Sequence, residues 1–164
     1  MSWNVRGLNN SAKRYVVRGF VTTVRANIAC LQETKLDVID HYSVMQCLGP
    51  SFEGFAYLPA LETRGGILLA WNSSVLDVHN LQMDTNFLTG EVCPKVGTAW
   101  WISVVYGPHG DARKTNFLAE LAQRSVLCPG PWMVLGDLNM ILRASKKNNS
   151  NINRSMMNNF RQFV

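Results

Sequence analysis

The chain has 164 residues and a formal net charge of +5, and 47% of its residues are apolar while 16% are charged. This composition is typical of one globular domain, residues 1–164, with its own hydrophobic core, and it excludes an intrinsically disordered chain. No apolar run approaches the roughly 18 residues of a membrane span, and the polar residues after Met1 exclude a secretion signal, so we expect an intracellular protein.

Apolar runs rich in aromatic and β-branched residues recur along the chain and predict strands. Several of these runs are too continuously apolar to expose either face, which is typical of strands in a covered sheet. After a short strand at Ser2-Trp3, the predicted strands are Ile28 to Gln32, Phe52 to Leu58, Gly66 to Trp71, Val75 to Val78, Trp100 to Tyr106 and Trp132 to Leu135.

Helices are predicted between these strands. The first follows the cap-like Asn10-Ser11 and has apolar residues at the spacing of one helix face, namely Val17, Phe20, Val21 and Val24. Two further helices are predicted at Asp37 to Cys47 and Arg113 to Val126, and a Lys/Asn/Ser-rich loop at Ser145 to Ser155. Mixed strands and helices without an interior linker predict one α/β or α+β domain.

The cysteines and histidines do not form a recognisable metal or disulfide pattern. The four cysteines are widely separated and contain no CxxC pair, so we expect them to be reduced: Cys30, Cys47, Cys93 and Cys128. The three histidines also lack ligand spacing, and a zinc site is therefore not expected.

The positive charge is concentrated at the two ends of the chain. Residues 1–35 contain six Lys or Arg and one acidic residue, and residues 140–164 contain five Lys or Arg and no acidic residue. The segment between them carries a net charge of −5, from five basic and ten acidic residues. If the fold brings the ends together, they would suit a polyanion, but a solvated basic surface explains the charge equally well.

Polar side chains follow the last apolar residues of four predicted strands. They are Asn4, Glu33 (after Gln32), Tyr106, and the pair Asp137 and Asn139. Strands that end at a common rim would bring two carboxylates, two amides and a phenol into one cleft. This set suits a hard divalent ion and a phosphate, because Mg²⁺ is held by one or two carboxylates together with waters and substrate oxygens.

For any one of these positions, a structural role is a simpler explanation. The two asparagines would be turn residues, the tyrosine would belong to the core, and the two carboxylates would cap helices or loops. Five polar residues in the same register at strand ends favour the site.

Several sequence motifs resemble those of the endonuclease/exonuclease/phosphatase superfamily, and within it those of the nuclease domain of plant LINE-type retrotransposons. These stretches occur in the family's order and read SWNVRGLNN, LQETKL, RGGILLAW, VVYGPHG and PWMVLGDLN. The stretch MMNNF, from Met156 to Phe160, resembles the helix that follows them in the family.

The resemblance implies an α+β fold, a four-layer sandwich with two mixed β-sheets face to face and helices outside. It also implies a hydrolase in which Glu33, with Asn4 beside it, holds Mg²⁺ or Mn²⁺. Asp137 would orient or polarise the attacking water, and Asn139 and Tyr106 would bind the scissile phosphate. The implied partner is DNA and the implied location is the nucleus, with no membrane and no small-molecule cofactor apart from the metal.

Three departures from the family pattern affect these expectations. Leu138 stands where the family commonly has Phe, an apolar exchange that we expect to be tolerated. The first strand is short after Met1, and the family's terminal strands and Ser-Asp-His motif do not occur before Val164. The resemblance therefore implies an incomplete, truncated sandwich and weak or absent nuclease activity. Asp40-His41 lies in the early helix-like segment and is expected to be an ordinary surface pair.

Two other functions remain open at this stage. The first is a non-catalytic nucleic-acid-binding module that uses the basic ends and exposed aromatic residues, whose affinity would fall steeply with salt. The second is a small-molecule phosphatase of the same superfamily, which would prefer a phosphomonoester.

Overall fold

The computed structural model describes residues 1–61, 65–146 and 153–164. In chain order, its elements are β1 (Ser2–Asn4), α1 (Ser11–Val24), β2 (Ile28–Gln32), α2 (His41–Leu48), β3 (Gly54–Leu58), β4 (Ile67–Trp71), β5 (Leu76–Met83), β6 (Phe87–Pro94), β7 (Trp100–Tyr106), α3 (Asp111–Val126), β8 (Trp132–Asp137) and α4 (Arg154–Phe163). A short 3-10 turn spans Ala144–Lys146. None of the described helices has the length and apolar character needed to cross a membrane.

The strands form two four-stranded mixed sheets, with the orders β1-β2-β4-β3 and β5-β6-β7-β8. Each sheet contains one parallel pair at one of its edges, β1 with β2 and β7 with β8. The remaining pairs are antiparallel. The two strands of a parallel pair run in the same direction, so in each sheet two carboxyl ends lie side by side at the same end of the sheet.

The two sheets pack face to face around a shared apolar core. Cys30 and Leu69 of the first sheet and Leu88 and Ile102 of the second belong to this core and are fully buried. This burial explains why the sequences of these strands are continuously apolar, because strands covered on both faces have no face exposed to water.

Helices cover the outer face of each sheet. Val21 of α1 and Val44 of α2 pack with Leu31 on the first sheet, and Phe117 of α3 packs with Phe87 on the second. Helix α4 packs against α3. The layers are therefore helix, sheet, sheet and helix, and the expectation of an α+β sandwich with two mixed sheets is confirmed.

Helix α1 begins where the sequence predicts but buries a narrower face. The Asn10 side chain accepts a hydrogen bond from the Ala12 N–H at 2.8 Å and caps the helix. Of the four residues predicted to form its apolar face, Val17 and Val21 are buried, whereas Phe20 is 56% exposed and Val24 is 48% exposed. The ring of Phe20 instead lies 5.4 Å from that of Trp3 at the border of the helix layer.

Strand β6 is absent from the sequence prediction. Its central residues, Thr89-Gly90-Glu91, interrupt the apolar pattern, so the sequence did not predict this strand. In the structure it pairs with β5 on one side and β7 on the other. Strand β5 continues to Met83, beyond the predicted end at Val78. Its second half, after a bulge between His79 and Gln82, is largely exposed and polar, so the apolar pattern did not predict it. Strand β3 begins two residues later than predicted, and β4 one residue later.

Two helix boundaries and one predicted loop also differ from the sequence analysis. Helix α2 begins at His41 rather than Asp37, because Asp40 caps it, and α3 begins two residues before Arg113. The predicted loop at Ser145 to Ser155 lies outside the described residues over 147–152. On either side of that gap, Ser145 belongs to the 3-10 turn and Arg154 begins α4.

Candidate active site

The two parallel strand pairs bring their carboxyl ends together at one rim of the sandwich. In the first sheet Asn4 lies opposite Gln32, and in the second Tyr106 lies opposite Asp137. The Asn4 side chain crosses between the sheets, and its Nδ2 donates a hydrogen bond to Asp137 Oδ2 at 3.0 Å. Residues 133 positions apart therefore share one hydrogen bond at this rim.

Asp137 is held by a second contact from the turn that follows β8. Its Oδ1 accepts a hydrogen bond from the backbone N–H of Asn139 at 2.9 Å, and Asn139 adopts a left-handed conformation with φ +52°. The Asn139 side chain then donates from Nδ2 to the Gly107 carbonyl at 2.6 Å. Asn139 is thus a turn residue, and that turn fixes its amide beside the carboxylate.

Glu33 immediately follows β2 and turns into the rim with φ +58°. Its carbonyl accepts a hydrogen bond from Gly7 N–H at 2.7 Å, and the next residues are tied to the 65–66 segment, with Lys35 N–H donating to the Gly65 carbonyl at 2.7 Å. The Glu33 side chain is 20% exposed, and its Oε1 lies 3.5 Å from the ammonium of Lys35. The carboxylate is therefore held in place and already faces a cation.

Tyr106 lies opposite Asp137 in the second sheet and is close enough to both carboxylates to be affected by their charge. Partial burial, followed by the negative charges of Glu33 and Asp137, raises the pKa of its phenol above the ordinary value. The phenol stays protonated at neutral pH and is available as a hydrogen-bond donor. The ring of His109 stands edge to face with it, with the ring centroids 6.2 Å apart.

Three glycines allow these segments to approach one another, and sequence reasoning assigned them no role. A β-carbon at Gly65 would lie 2.8 Å from Glu33 Cγ and 2.9 Å from Tyr106 Cε1. At Gly107 it would lie 2.2 Å from the Leu138 carbonyl oxygen, and at Gly136 it would lie 2.1 Å from the Val105 carbonyl oxygen. These glycines stand in the motif-like stretches, but only the fold shows which backbone each one faces.

Three exposed basic residues lie next to the site on the side of the first sheet. The backbone N–H of Arg6 donates to Asn4 Oδ1 at 3.2 Å, and Lys13 Nζ donates to the Arg6 carbonyl at 2.8 Å. The Lys35 side chain runs over Gly7 and reaches Glu33. We call Arg6, Lys13 and Lys35 the basic rim.

The second basic segment lies elsewhere. The described basic residues of α4 belong to a helix that packs on α3, over the opposite sheet from α1. The basic rim as defined here comes from the first 35 residues alone.

The donor set at the rim fits a divalent ion. Glu33 contributes a carboxylate that already faces the Lys35 ammonium, and Asn4 Oδ1 keeps a second lone pair beside its contact with Arg6. Mg²⁺ is typically held by one or two carboxylates and several waters. Over the described ranges, no three His, Cys, Asp or Glu side chains are grouped closely enough to hold a metal by themselves.

The remaining candidates in the sequence have structural roles. Asp40 is the N-cap of α2, where its carboxylate accepts a hydrogen bond from Ser43 N–H at 2.8 Å. Hydrogen bonds from the Ser43 side chain and then from its backbone N–H lower the pKa of Asp40. Asp40-His41 is therefore an ordinary capping pair, as expected. The four cysteines are free thiols, and burial raises the pKa of Cys30 to about 12 and that of Cys47 to about 11.

Comparison with known proteins gives one family and a set of similar structures. The family model described as "Endonuclease/Exonuclease/phosphatase family" matches residues 1–162. A comparison with curated proteins finds no match.

Several solved structures share the fold. The AP endonuclease LMAP from Leishmania major is 20% identical with a TM-score of 0.62, and the alignment covers 99% of this chain and 64% of that protein. The catalytic domain of Xenopus laevis APE2 is 19% identical with a TM-score of 0.65, covering 99% and 65%. The endonuclease domain of TRAS1, a telomere-specific non-LTR retrotransposon, is 13% identical with a TM-score of 0.61, covering 99% and 70%.

These similarities concern the fold, since each identity is at or below 20%. The chain also spans less than two thirds of the length of the first two structures.

Proposed function

Since the chain belongs to the endonuclease/exonuclease/phosphatase family, we propose that it is a divalent-metal-dependent phosphodiesterase that nicks DNA. The observation that carries this proposal is the hydrogen bond between Asn4 and Asp137, which joins the two sheets at 3.0 Å beside Glu33 and Tyr106. A purely structural pair of turns would not require two carboxylates and a neutral phenol at the same rim.

Each side chain has a role that its contacts support. Glu33, with Asn4 beside it, would hold Mg²⁺ or Mn²⁺, which when bound neutralises charge on the phosphate and makes a nearby water more acidic. Asp137 uses one lone pair on each oxygen for Asn4 and Asn139, and its remaining lone pairs can accept hydrogen bonds from the attacking water. Asp137 would thereby orient that water toward the phosphorus atom.

Tyr106 and Asn139 would hold the scissile phosphate. The Tyr106 phenol remains protonated because its pKa is raised, so it can donate to a phosphate oxygen without adding negative charge. Asn139 has a second N–H on its amide beyond the one that binds Gly107. Neither side chain repels the phosphate, whereas the two carboxylates need a cation before a polyanion can approach.

The basic rim supports DNA as the substrate. Arg6 and Lys13 are exposed beside Asn4, and the Lys35 side chain is 53% exposed beside Glu33. Cations placed along one side of a phosphate-cleaving site neutralise the flanking phosphates of the same strand. A small phosphomonoester has no flanking phosphates, and the rim therefore favours a polynucleotide over the phosphatase alternative.

The direct test is nicking of supercoiled plasmid by the purified chain in Mg²⁺ or Mn²⁺, with the chain in molar excess. We expect any nicking to be slow, and we expect EDTA to abolish it and Glu33→Ala to lower it by at least about a hundredfold, the usual size of one catalytic contribution. The matched control is Glu53→Ala, which removes an exposed carboxylate next to the opposite end of the first sheet. Equal rates for Glu33→Ala and the wild-type chain would contradict the proposal.

The same assay measures how active residues 1–164 are by themselves, and the expectation of weak or absent activity stays a prediction. The second candidate function, a non-catalytic nucleic-acid-binding module, is favoured by the exposed basic rim. A pure binder would retain DNA affinity in Glu33→Ala and in EDTA and would show no nicking. A small-molecule phosphatase would instead hydrolyse a phosphomonoester and leave the plasmid intact.

We also propose that the chain derives from a plant LINE-type retrotransposon. The proposal rests on the wording of its motifs and is supported by the shared fold of the TRAS1 endonuclease domain. A reverse-transcriptase reading frame beside the coding sequence is the expected finding in the source genome. A nuclear location belongs to the same proposal, and fluorescence microscopy of the tagged chain tests it.

A further inference from the structure

A cavity of about 200 Å³ opens directly beside Asn139. It lies between the first turn of α3, the segment that follows β8, and the first turn of α4. Its lining consists of Asp111, Lys114, Asn139, Met140, Ile141, Asn153, Met156 and Met157. Only Asn139 among these belongs to the candidate active site.

One wall of the cavity is apolar and rich in sulfur. Met140, Met156 and Met157 contribute thioether side chains. Met156 is only 8% exposed and Met157 only 9% exposed. Thioethers are polarizable and pack favourably against the faces and edges of aromatic rings. This wall therefore suits a flat unsaturated ring better than a hydrated ion.

The opposite wall is polar, but its charges balance. Asp111 Oδ2 accepts a hydrogen bond from Asn153 Nδ2 at 2.7 Å, and Asp111 Oδ1 lies 3.7 Å from the Lys114 ammonium. The Lys114 side chain is only 18% exposed, and an ammonium has three N–H donors to offer. A wall with one acid and one base offers hydrogen bonds without attracting a phosphate dianion.

The size of the cavity fits one heteroaromatic ring system. Cavities of roughly 150 Å³ in protein interiors admit a single benzene ring, and this cavity is somewhat larger and open to solvent at one side. A nucleobase combines a flat ring with hydrogen-bonding edges, which matches one thioether wall and one polar wall.

The position beside Asn139 connects the cavity to the cleaved strand. The Asn139 amide is fixed by its hydrogen bond to Gly107, and the same residue lines the cavity. We propose that this cavity binds the base of the nucleotide next to the phosphate that Asn139 and Tyr106 hold. The inference rests on the proposed function for the position of the phosphate, but the affinity of the cavity for a base can be measured without cleavage.

The first experiment uses methyl-labelled methionine and NMR on the whole chain, with deoxyadenosine monophosphate as the probe and 2-deoxyribose 5-phosphate as the base-free control. The chain has seven methionines, and three of them line the cavity. We expect the methyl resonances of Met140, Met156 and Met157 to shift with the nucleotide and not with the sugar phosphate. The methionines at Met83 and Met133 serve as internal controls, since both are exposed and outside the cavity.

Equal shifts with both probes, shifts of the control methionines alone, or no shift would each overturn the proposal. This readout requires no metal and no cleavage, so an inactive chain can still support the cavity. Conversely, a chain that nicks DNA but shows no cavity shifts would keep the proposed function and lose this inference.

The second experiment locates the base along a strand. A series of fluorescent single-stranded oligonucleotides is used, each with one base-free sugar at a different position. Binding of the chain to each oligonucleotide is measured in EDTA by fluorescence anisotropy. Losing the base that occupies the cavity should weaken binding by roughly tenfold at one position, as expected for one stacked base. Met157→Trp places a larger side chain in the wall of the cavity, so the positional effect should disappear, whereas the control Met83→Trp should keep it. A uniform profile in the wild-type chain, or an unchanged profile in Met157→Trp, would contradict the proposal.

Discussion

Asp137 is the residue on which the candidate site converges. Its two oxygens accept from Asn4 at 3.0 Å and from the Asn139 backbone at 2.9 Å, so one side chain ties β1 to the turn after β8. Sequence reasoning found Asp137, Asn139, Glu33, Asn4 and Tyr106 because polar residues at strand ends stand out against apolar runs. The sequence could not indicate a role for Gly65, because that role depends on the Glu33 and Tyr106 side chains that approach it in the fold.

The phenol of Tyr106 provides a test of the local electrostatics. Its pKa is raised by burial and by Glu33 and Asp137, so its ionisation should occur above the ordinary range of about 10. The absorbance difference between the wild-type chain and Tyr106→Phe during an alkaline titration isolates this group. Glu33→Gln should move the midpoint toward the ordinary value, and the control Glu53→Gln should not.

The sign of the linked stability change follows from the same shift. A folded-state pKa above the unfolded value means that the folded chain binds the proton more tightly, so this contribution is fully present below about pH 10 and declines as pH rises further. Tyr106→Phe should lack that decline relative to the wild-type chain in alkaline denaturant titrations. A Tyr106 midpoint below the ordinary value would show that the carboxylates do not face the phenol.

Gly65→Ala tests whether close approach shapes the site. The added methyl would lie 2.8 Å from Glu33 Cγ and 2.9 Å from Tyr106 Cε1, so both side chains must move, and a displacement of about 1 Å can cost roughly a hundredfold in rate. We expect nicking to fall by that order while circular dichroism shows a folded chain. Gly19→Ala is the matched control, because its added methyl would meet no atom within 4 Å beyond its chain neighbours and its own helix backbone.

Gly19→Ala should also raise the free energy of unfolding by about 0.5–1 kcal/mol, because alanine is favoured over glycine inside a helix. Denaturant titration measures this change. Wild-type nicking by Gly65→Ala would show that Glu33 and Tyr106 tolerate the methyl and are not held as closely as the structure indicates.

Strands with an unbroken apolar run were predictable from the sequence, whereas strands interrupted by glycine or polar residues were not, even where they are buried. Strands β2 and β7 have the predicted bounds, Ile28–Gln32 and Trp100–Tyr106, because both faces are covered and the apolar run is unbroken. Strand β6 was missed because Gly90 and its polar neighbours break the run. Position within the sheet, which sequence periodicity does not report, decides whether such residues can belong to a strand.

The basic rim is an element-scale feature with a measurable salt dependence. Each cation that neutralises a phosphate contributes about −0.7 to the slope of log K against log salt for single strands and about −0.9 for duplex DNA. We expect Lys13→Ala and Lys35→Ala each to reduce the magnitude of the slope by an amount of that order in anisotropy titrations. The control is Lys95→Ala, because Lys95 pairs with Asp77 beside the opposite end of the second sheet. Equal slopes for all four proteins would remove the rim from the DNA interface.

The two edges of the second sheet are protected to different degrees among the described strands. Strand β8 has one neighbour among the described strands, and both of its faces are only partly covered, with Met133 47% exposed. The other edge of that sheet, β5, contains a bulge between His79 and Gln82, and bulges protect edges from pairing with other chains. Strand β8 is therefore the expected point of self-association.

Met133→Lys should increase the soluble fraction and slow aggregation, because a charged side chain on an edge strand opposes intermolecular pairing. Light scattering during heating of the purified chain measures the effect. Met83→Lys on the bulged edge is the matched control and should change aggregation less. If both variants behave alike, or if the wild-type chain is a reversible monomer at high concentration, the exposed β8 edge is not the weak point.

We propose that the two parallel strand pairs build one metal-dependent cleavage site from both sheets. The most direct measurement is a double-mutant cycle on the single-turnover nicking rate in Mn²⁺, with Glu33→Ala from the first sheet, Asp137→Ala from the second, and the double variant. Residues that act as a unit are strongly non-additive, so each single variant should lose at least about a hundredfold and the double variant should lose little more. Losses that multiply, or nicking that survives either substitution, would show that the two carboxylates do not work in one site.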